Sequence, residues 1–205
     1  MNGWFTPRAR KRRRSASLAL ILSMAAVVLL SGCFSGMRTS KSPGETVFLN
    51  SFETSRDTLS WYWSGKYRLI ADTPPGGGAL ALEVRGGGTF PAGSFISGPL
   101  RYGGYFTIEC WGKVKGVAGC VQLATIADHE VVEAIRAPIL EPEWKRAQSG
   151  EALYCPPGKS LMISLQPGQY GEGAMAVDVI EVKKVGKAGE APGKIDRRIT
   201  RQDLP

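Results

Sequence analysis

Few residues in this chain of 205 combine in a pattern that supports catalysis or zinc binding. The single histidine, His129, lies between two apolar runs in Ala127-Asp128-His129-Glu130, where we expect a solvated turn between strands. The sequence contains no Gly-x-Ser-x-Gly elbow, no Cys-x-x-Cys pair and no second histidine. Its glutamates could cleave a glycosidic bond as a pair, but they alternate along predicted strands as solvent-facing residues do. We therefore expect a protein that is not an enzyme.

Four cysteines offer thiol chemistry, and Cys33 stands at the end of an apolar run. Residues 16–30 are apolar apart from two serines, and six Lys or Arg residues precede them with no acidic residue before position 33. A helix of that length measures roughly 22 Å, which is short of the ~30 Å hydrocarbon core of a bilayer. A cationic segment followed by a short apolar one is typical of an export signal rather than of a spanning helix.

The residues Leu30-Ser31-Gly32-Cys33 resemble the lipobox of bacterial lipoproteins. This resemblance implies cleavage between Gly32 and Cys33, a diacylglyceryl group on the Cys33 thiol and acylation of the new amino terminus. Two or three acyl chains anchor a protein without any spanning helix. The alternative is an ordinary cleavage site with a chance cysteine beside it. No aspartate follows Cys33, so we expect an outer-membrane lipoprotein of the cell envelope.

The charge pattern argues against a nucleic-acid partner. The net charge is +8, but six of the positive charges lie in residues 1–32, which leaves +2 for residues 33–205. We interpret the basic cluster as part of the signal and not as a binding patch.

Composition divides the mature chain into three parts. Residues 33–45 are rich in Ser, Lys, Gly and Pro, and we expect a flexible tether. Residues 186–205 contain few apolar side chains and predict a flexible tail. The folded domain is expected to cover residues 46–185.

Within that domain, about ten short runs of β-type residues are separated by glycine-rich turns. No segment keeps a 3.6-residue period over three turns. This pattern predicts an all-β protein, an antiparallel sandwich or barrel with very little helix.

Three stretches resemble carbohydrate-binding modules of the CBM4/9 (CenC-like) type, within the galactose-binding-like superfamily. They are LNSFETSRDTLSWYWSGKYRLIADTPPGGGALALEV, YFTIECWGKVKG and EWKRAQSGEALYCPPGKSLMISLQPGQYGEGAMAVDVIEV. Their order and spacing are retained from about residue 46 to 183. The resemblance implies a jelly roll, and it places Trp111 and Trp144 in the core between the two sheets.

The same resemblance implies a structural Ca²⁺, because the first and last strands of these modules bring two carboxylates together. The matching residues here are Glu53 and Asp178. Two carboxylates with backbone carbonyls could supply the six to eight oxygens that Ca²⁺ needs. In the alternative interpretation, Glu53 caps a turn and Asp178 pairs with an arginine or a backbone N–H.

Sugar rings bind to flat apolar faces, and the candidates for that contact are Trp61, Trp63, Tyr67 and Tyr102. Strand alternation sends Trp61 and Trp63 to one face and Tyr62 to the other. Because one of those faces must be the core, any single tryptophan in this cluster could be a core residue instead.

Three cysteines remain after Cys33 is assigned to lipid. If a hairpin is centred on Lys115, Cys110 and Cys120 face each other and could form a disulfide. Pairing of Cys155 with either of them is the competing option.

Two functions from different classes remain open. In the first, a lipid-anchored jelly roll binds polysaccharide or cell-wall glycan without cleaving it. In the second, the same domain is an adaptor that holds another envelope protein.

Overall fold

The computed structural model describes residues 36–86, 91–168 and 173–190. The predicted signal segment, its cleavage site at Gly32 and the lipid attachment residue Cys33 lie outside these ranges, as do residues 191–205. Within them, no helix is long and apolar enough to cross a bilayer.

Two antiparallel sheets pack face to face, which confirms the predicted all-β sandwich, and the described residues form twelve strands rather than about ten. A single turn of 3₁₀ helix, Ser55–Thr58, is the only helix among the described residues. The seven-stranded sheet contains β1 (Thr46–Asn50), β3 (Lys66–Ile70), β4 (Ala81–Arg85), β6 (Gly104–Lys115), β9 (Lys145–Gln148), β10 (Leu153–Cys155) and β12 (Ala174–Lys187). The five-stranded sheet contains β2 (Tyr62–Trp63), β5 (Gly93–Ile96), β7 (Gly119–Ala127), β8 (Glu130–Ile139) and β11 (Ser160–Gln166).

The long strand β12 organises the seven-stranded sheet. It pairs with β6 along one edge, while its other edge pairs first with β4 and then with β1. The five-stranded sheet runs in the order β2-β5-β11-β7-β8. Side chains from both inner faces form one apolar core, in which Phe106, Leu123 and Ile163 are at most 2% exposed.

The predicted two-residue turn around His129 is confirmed, because β7 ends at Ala127 and β8 begins at Glu130. Asp128 and His129 both have positive φ angles, 52° and 70°. Two successive residues with positive φ are typical of the tight hairpin turns that match the twist of a sheet.

The predicted disulfide between Cys110 and Cys120 does not form, and Cys155 is also a free thiol. Strand β6 carries Cys110 in one sheet and β7 carries Cys120 in the other, so the two cysteines are not cross-strand partners. The turn after Lys115 passes from one sheet to the other instead of closing a hairpin. Burial raises the pKa of the Cys110 thiol to about 12.

Two further expectations differ from the structure. Residues 36–45, predicted as part of a flexible tether, make hydrogen bonds to β12 and to the first residues of β1. Trp111 and Trp144, predicted to be in the core, are half-buried instead. Trp111 alternates with the buried Cys110 and therefore points to the outer face. The Trp144 indole N–H donates to Asp72 Oδ1 at 3.0 Å.

An ion network centred on Glu109 covers part of the outer face of the seven-stranded sheet. The Glu109 carboxylate accepts hydrogen bonds from Arg146 Nη2 at 2.7 Å and from Lys183 Nζ at 2.8 Å. Burial alone would raise the pKa of Glu109, but the hydrogen bonds from Lys183 and Arg146 outweigh it. They lower that pKa from 4.5 to about 2.

Acid should therefore weaken this network. Because the folded-state pKa of Glu109 is below 4.5, its contribution to stability is complete above pH 4.5 and is lost as the pH falls towards 2. Both cations are partly exposed, so we expect a loss of about 1–2 kcal/mol. In urea unfolding, the free energy of unfolding of Glu109→Gln should fall less steeply than that of the wild type between pH 4.5 and pH 2. The control Glu133→Gln, at an exposed residue, should keep the wild-type dependence of the free energy of unfolding on pH. The same dependence in all three proteins would contradict this assignment.

Candidate functional site

The outer face of the five-stranded sheet carries five side chains in one register across all five strands. They are Tyr62, Ser94, Ser164, Gln122 and Arg136, on β2, β5, β11, β7 and β8. We call this row the polar ladder. With strands ~4.8 Å apart, it spans roughly 19 Å, the length of a short oligosaccharide rather than of one sugar ring.

Hydrogen bonds fix the middle of the polar ladder. The Gln122 side-chain oxygen accepts from Arg136 Nε at 3.2 Å and from Gln166 Nε2 at 3.1 Å. Ser94 Oγ lies 3.5 Å from Ser164 Oγ. Among the described residues, the amide nitrogen of Gln122 donates to no protein acceptor. The ladder therefore presents preoriented N–H donors from which a ligand oxygen can accept hydrogen bonds.

Arg136 is the charged member of the polar ladder. Its guanidinium is exposed, and a neutral amide holds it instead of a carboxylate. No ion pair to Arg136 occurs among the described residues. An uncompensated guanidinium with free N–H groups suits a hydroxyl-rich or carboxylate-bearing ligand.

Tyr62 ends the polar ladder at the edge strand β2 and is 70% exposed. The next row along the strands is apolar and consists of Ile96, Met162, Ala124 and Ala134. Ile96 is 45% exposed. The face thus combines an exposed aromatic ring, a line of polar groups and an adjoining apolar strip.

Three of the four predicted aromatic residues form one stack, in which Trp63 lies between Trp61 and Tyr67. Trp61 is 5% exposed and packs in the core against Phe95, with ring centroids 6.0 Å apart. Trp63 packs against the core from the same side and stacks on Trp61 at 5.8 Å. The predicted alternation is present, but Trp61 is buried in the core, so its ring has no free face on which a sugar could stack. Tyr62, which points the opposite way, was not among the candidates.

Tyr67 and Tyr102 lie away from the polar ladder. Tyr67 stacks on Trp63 with centroids 4.0 Å apart and is 44% exposed, so it closes the gap between the edge strands β2 and β3. Tyr102 lies in the loop before β6, where Lys41 and Arg101 approach its ring. The structure therefore does not bring the four predicted aromatic residues into one groove.

Asp178, one of the two predicted calcium ligands, lies where β12 changes partners. Val177 is the last residue of β12 to pair with β4, and Ile180 is the first to pair with β1. Asp178 lies in the gap between these pairings, and the charge of Glu53 is close enough to raise its pKa. The loop before β4 holds Glu53, because the Ala79 N–H donates to Glu53 Oε2 at 2.8 Å.

Asp178 is a buried carboxylate with an unsatisfied oxygen. Its Oδ1 accepts the Val179 N–H at 2.8 Å, but the buried Oδ2 has no hydrogen-bond partner. Burial, reinforced by Glu53, raises the pKa of Asp178 to about 6. Backbone strain lies beside both carboxylates, because Phe52 and Val179 have φ angles of 53° and 48°.

The turn-capping alternative is met in part, because Glu53 accepts the Ala79 N–H and Asp178 accepts the Val179 N–H. It leaves the buried Asp178 Oδ2 without a partner among the described residues, and this oxygen is free to bind a cation. No group of three or more His, Cys, Asp or Glu side chains is placed to bind a metal within 36–86, 91–168 and 173–190. A cation here would depend on two carboxylates together with backbone carbonyls and water.

A second concave region lies on the outer face of the seven-stranded sheet, beside Asp72, Glu83 and Lys113. Lys113 pairs there with Asp72, and Glu83 pairs with Arg68 at 2.8 Å. Because these charges already satisfy one another, the polar ladder is the stronger candidate for ligand binding.

No protein-family model and no curated protein matches the sequence. Solved structures do match the fold. The CBM22-1 xylan-binding domain from Paenibacillus barcinonensis Xyn10C has a TM-score of 0.52 and 15% identity, covering 71% of this chain and 98% of that one. A xylan-binding domain from CBM 22 has a TM-score of 0.51 and 12% identity, covering 72% and 99%. A structure described as "CBM4 structure and function" has a TM-score of 0.40 and 15% identity, covering 60% and 86%. The first two show that this chain has the jelly-roll fold of carbohydrate-binding modules.

Proposed function

We propose that this protein binds a glycan along the polar ladder and does not cleave it. The observation that carries the proposal is the row of five side chains in register, in which two hydrogen bonds fix Gln122 beside Arg136. The similar fold of two xylan-binding domains supports the same ligand class. None of the five ladder residues is acidic, so the ladder lacks the carboxylate pair that glycoside cleavage requires.

Each part of the polar ladder has a role in this proposal. Tyr62 offers a flat face on which a pyranose ring stacks at the sheet edge. The Gln122 amide nitrogen and the free guanidinium N–H groups of Arg136 donate to hydroxyl oxygens. Ser94 is partly exposed and offers its hydroxyl to the ligand, whereas Ser164 is fully buried and lies 3.5 Å behind it. A linear β-linked polysaccharide such as xylan is therefore the first ligand to test.

A glycan array with the purified mature protein tests this function. We expect binding to one class of linear polysaccharide, with the corresponding oligosaccharide competing. Binding to no glycan, together with capture of one envelope protein from the same cells, would favour the adaptor function. The apolar strip of Ile96, Met162 and Ala134 beside the ladder is the observation that favours that alternative.

We also propose that Glu53 and Asp178 hold a structural Ca²⁺. The unsatisfied Asp178 Oδ2 and the neighbouring Glu53 supply two hard anionic ligands where β1, β4 and β12 meet. When bound, the ion would neutralise two like charges and complete the coordination of a buried carboxylate. Its role is to stabilise the sheet, since both residues lie outside the polar ladder.

The proposed location is the cell envelope, with Cys33 as the point of lipid attachment. The lipobox-like sequence and the short apolar segment before it support cleavage after Gly32 and acylation of Cys33. The domain would then be held at the outer membrane. Mass spectrometry of the purified protein tests this directly, since a lipidated chain begins at Cys33 and carries acyl groups.

A further inference from the structure

Residues 36–45, which we call the strap, pack on one end of the sandwich. The Arg38 N–H donates to the Val47 carbonyl at 2.6 Å, and the Gly44 N–H donates to the Lys184 carbonyl at 2.7 Å. Met37 packs against the hydrophobic core. The Ser40 hydroxyl bonds to the carboxylate of Glu45. The strap is therefore part of the folded domain and not a free linker.

Lys184 fastens the strap. This lysine is 1% exposed, and its ammonium group donates to the Ser40 carbonyl at 2.9 Å. Its backbone N–H also donates to the Glu45 carbonyl at 3.0 Å. A buried ammonium is costly without a partner, so the strap and Lys184 stabilise each other. Gly104 allows this arrangement, because a Cβ there would lie 2.5 Å from Lys184 Cε.

The strap fixes how far the domain can stand from a lipid on Cys33. Three residues lie between Cys33 and Met37, so four Cα–Cα steps join them. A fully extended chain of that length reaches at most about 14 Å. A ten-residue flexible linker would instead add roughly 17 Å of average separation. The strap end of the domain must therefore lie close to the lipid headgroups.

Two cations meet over one aromatic ring at this end of the sandwich. Lys41, on the strap, lies 5.0 Å from the centre of the Tyr102 ring, and Arg101 lies 5.3 Å from it. Both cations are exposed, and neither forms an ion pair among the described residues. Tyrosine with flanking Lys and Arg is typical of surfaces at the level of lipid headgroups. We call these three residues the cationic cluster.

We propose that the cationic cluster docks on the phosphate groups of anionic lipids, so that the domain rests on the membrane and does not float above it. This inference rests on the proposed lipid anchor at Cys33. Charge complementarity and the short reach from Cys33 favour an anionic bilayer as the partner. Each Lys or Arg near such a surface adds to the attraction within about one Debye length.

Neutron reflectometry of the lipidated protein on supported bilayers tests the proposal. On bilayers that contain phosphatidylglycerol, protein density should begin at the headgroup layer. The double variant Lys41→Glu, Arg101→Glu should shift the protein density outward by roughly 8 Å, about one Debye length. The matched control is Lys66→Glu with Lys115→Glu, at the opposite end of the seven-stranded sheet, which should not move it. On pure phosphatidylcholine the cluster variant should match the wild type.

A second variant tests the strap without altering Lys184. Replacing residues 36–40 and 42–45 by glycine and serine, with Lys41 kept, should shift the density outward by roughly 17 Å. A water layer between wild-type domain and anionic bilayer, or equal shifts in the cluster variant and its control, would overturn the docking proposal while the anchor stands. A purified chain without acyl groups on Cys33 would overturn both the anchor and the docking.

Discussion

Replacing Gln122 by leucine is expected to reduce glycan affinity by about ten- to a hundredfold. Gln122 is 8% exposed and lies between Ser164 and Arg136 in the polar ladder, where its oxygen accepts from Arg136 and Gln166. Leucine removes that acceptor and the amide donor, so both neighbouring groups lose their orientation. Losing a hydrogen bond to a charged group costs about 1.5–3 kcal/mol, which corresponds to this range of affinity. Isothermal titration with the oligosaccharide identified on the array measures it.

Gln148→Leu is the matched control for this experiment. Gln148 is exposed on the outer face of the other sheet, opposite Glu109 in the register. The control should bind the oligosaccharide as the wild type does. Tyr62→Ala should also weaken binding, since it removes the only ring on the polar ladder. Unchanged affinity in Gln122→Leu, with a wild-type circular dichroism spectrum, would show that the glycan binds elsewhere.

Removing Ca²⁺ is expected to lower the melting temperature by roughly 5–10 °C. An ion present at a hundred times its dissociation constant stabilises the folded state by about 2.7 kcal/mol. For a domain of this size, each kcal/mol shifts the melting temperature by about 2–4 °C. Asp178→Asn should abolish the response to Ca²⁺, because it removes one of the two charges. Differential scanning calorimetry with and without a chelator measures the effect.

Two further variants test whether the response to Ca²⁺ comes from this site. In Gly78→Ala, the new Cβ would fall 1.4 Å from Glu53 Oε1 and push that carboxylate away. The response to Ca²⁺ should therefore weaken even though both acidic residues remain. Asp128→Asn, in the exposed turn after β7, should keep the full response. A melting temperature that is unaffected by chelator in the wild type would rule out the ion.

Local patterns in the sequence predicted the strands and the direction of many side chains. Alternation correctly sent Trp61 and Trp63 to one side and Tyr62 to the other, and the turn at His129 follows from its flanking apolar runs. The same pattern could not show which of these faces is the core. That depends on which strands neighbour β2, and those strands lie elsewhere in the chain.

The errors come from contacts between distant parts of the sequence. The Cys110–Cys120 pairing assumed that consecutive strands form a hairpin, whereas the chain changes sheets between them. The composition of the strap suggests flexibility, but the strap is held by a hydrogen bond from Lys184 to the Ser40 carbonyl, 144 residues away in the sequence. The polar ladder was missed for the same reason, because Gln122 and Gln166 become neighbours only when β7 pairs with β11.

The order of the strands also has a consequence for how the chain folds. Strand β12 is the last strand among the described residues, yet it lies at the centre of the seven-stranded sheet and pairs with β1, β4 and β6. Until residues 174–187 are available, β1 has no partner and the first carboxylate of the proposed ion site stands alone. Contacts at such long sequence separation form slowly. A newly made chain should therefore remain unfolded until β12 is complete, which is the state that the proposed export signal requires.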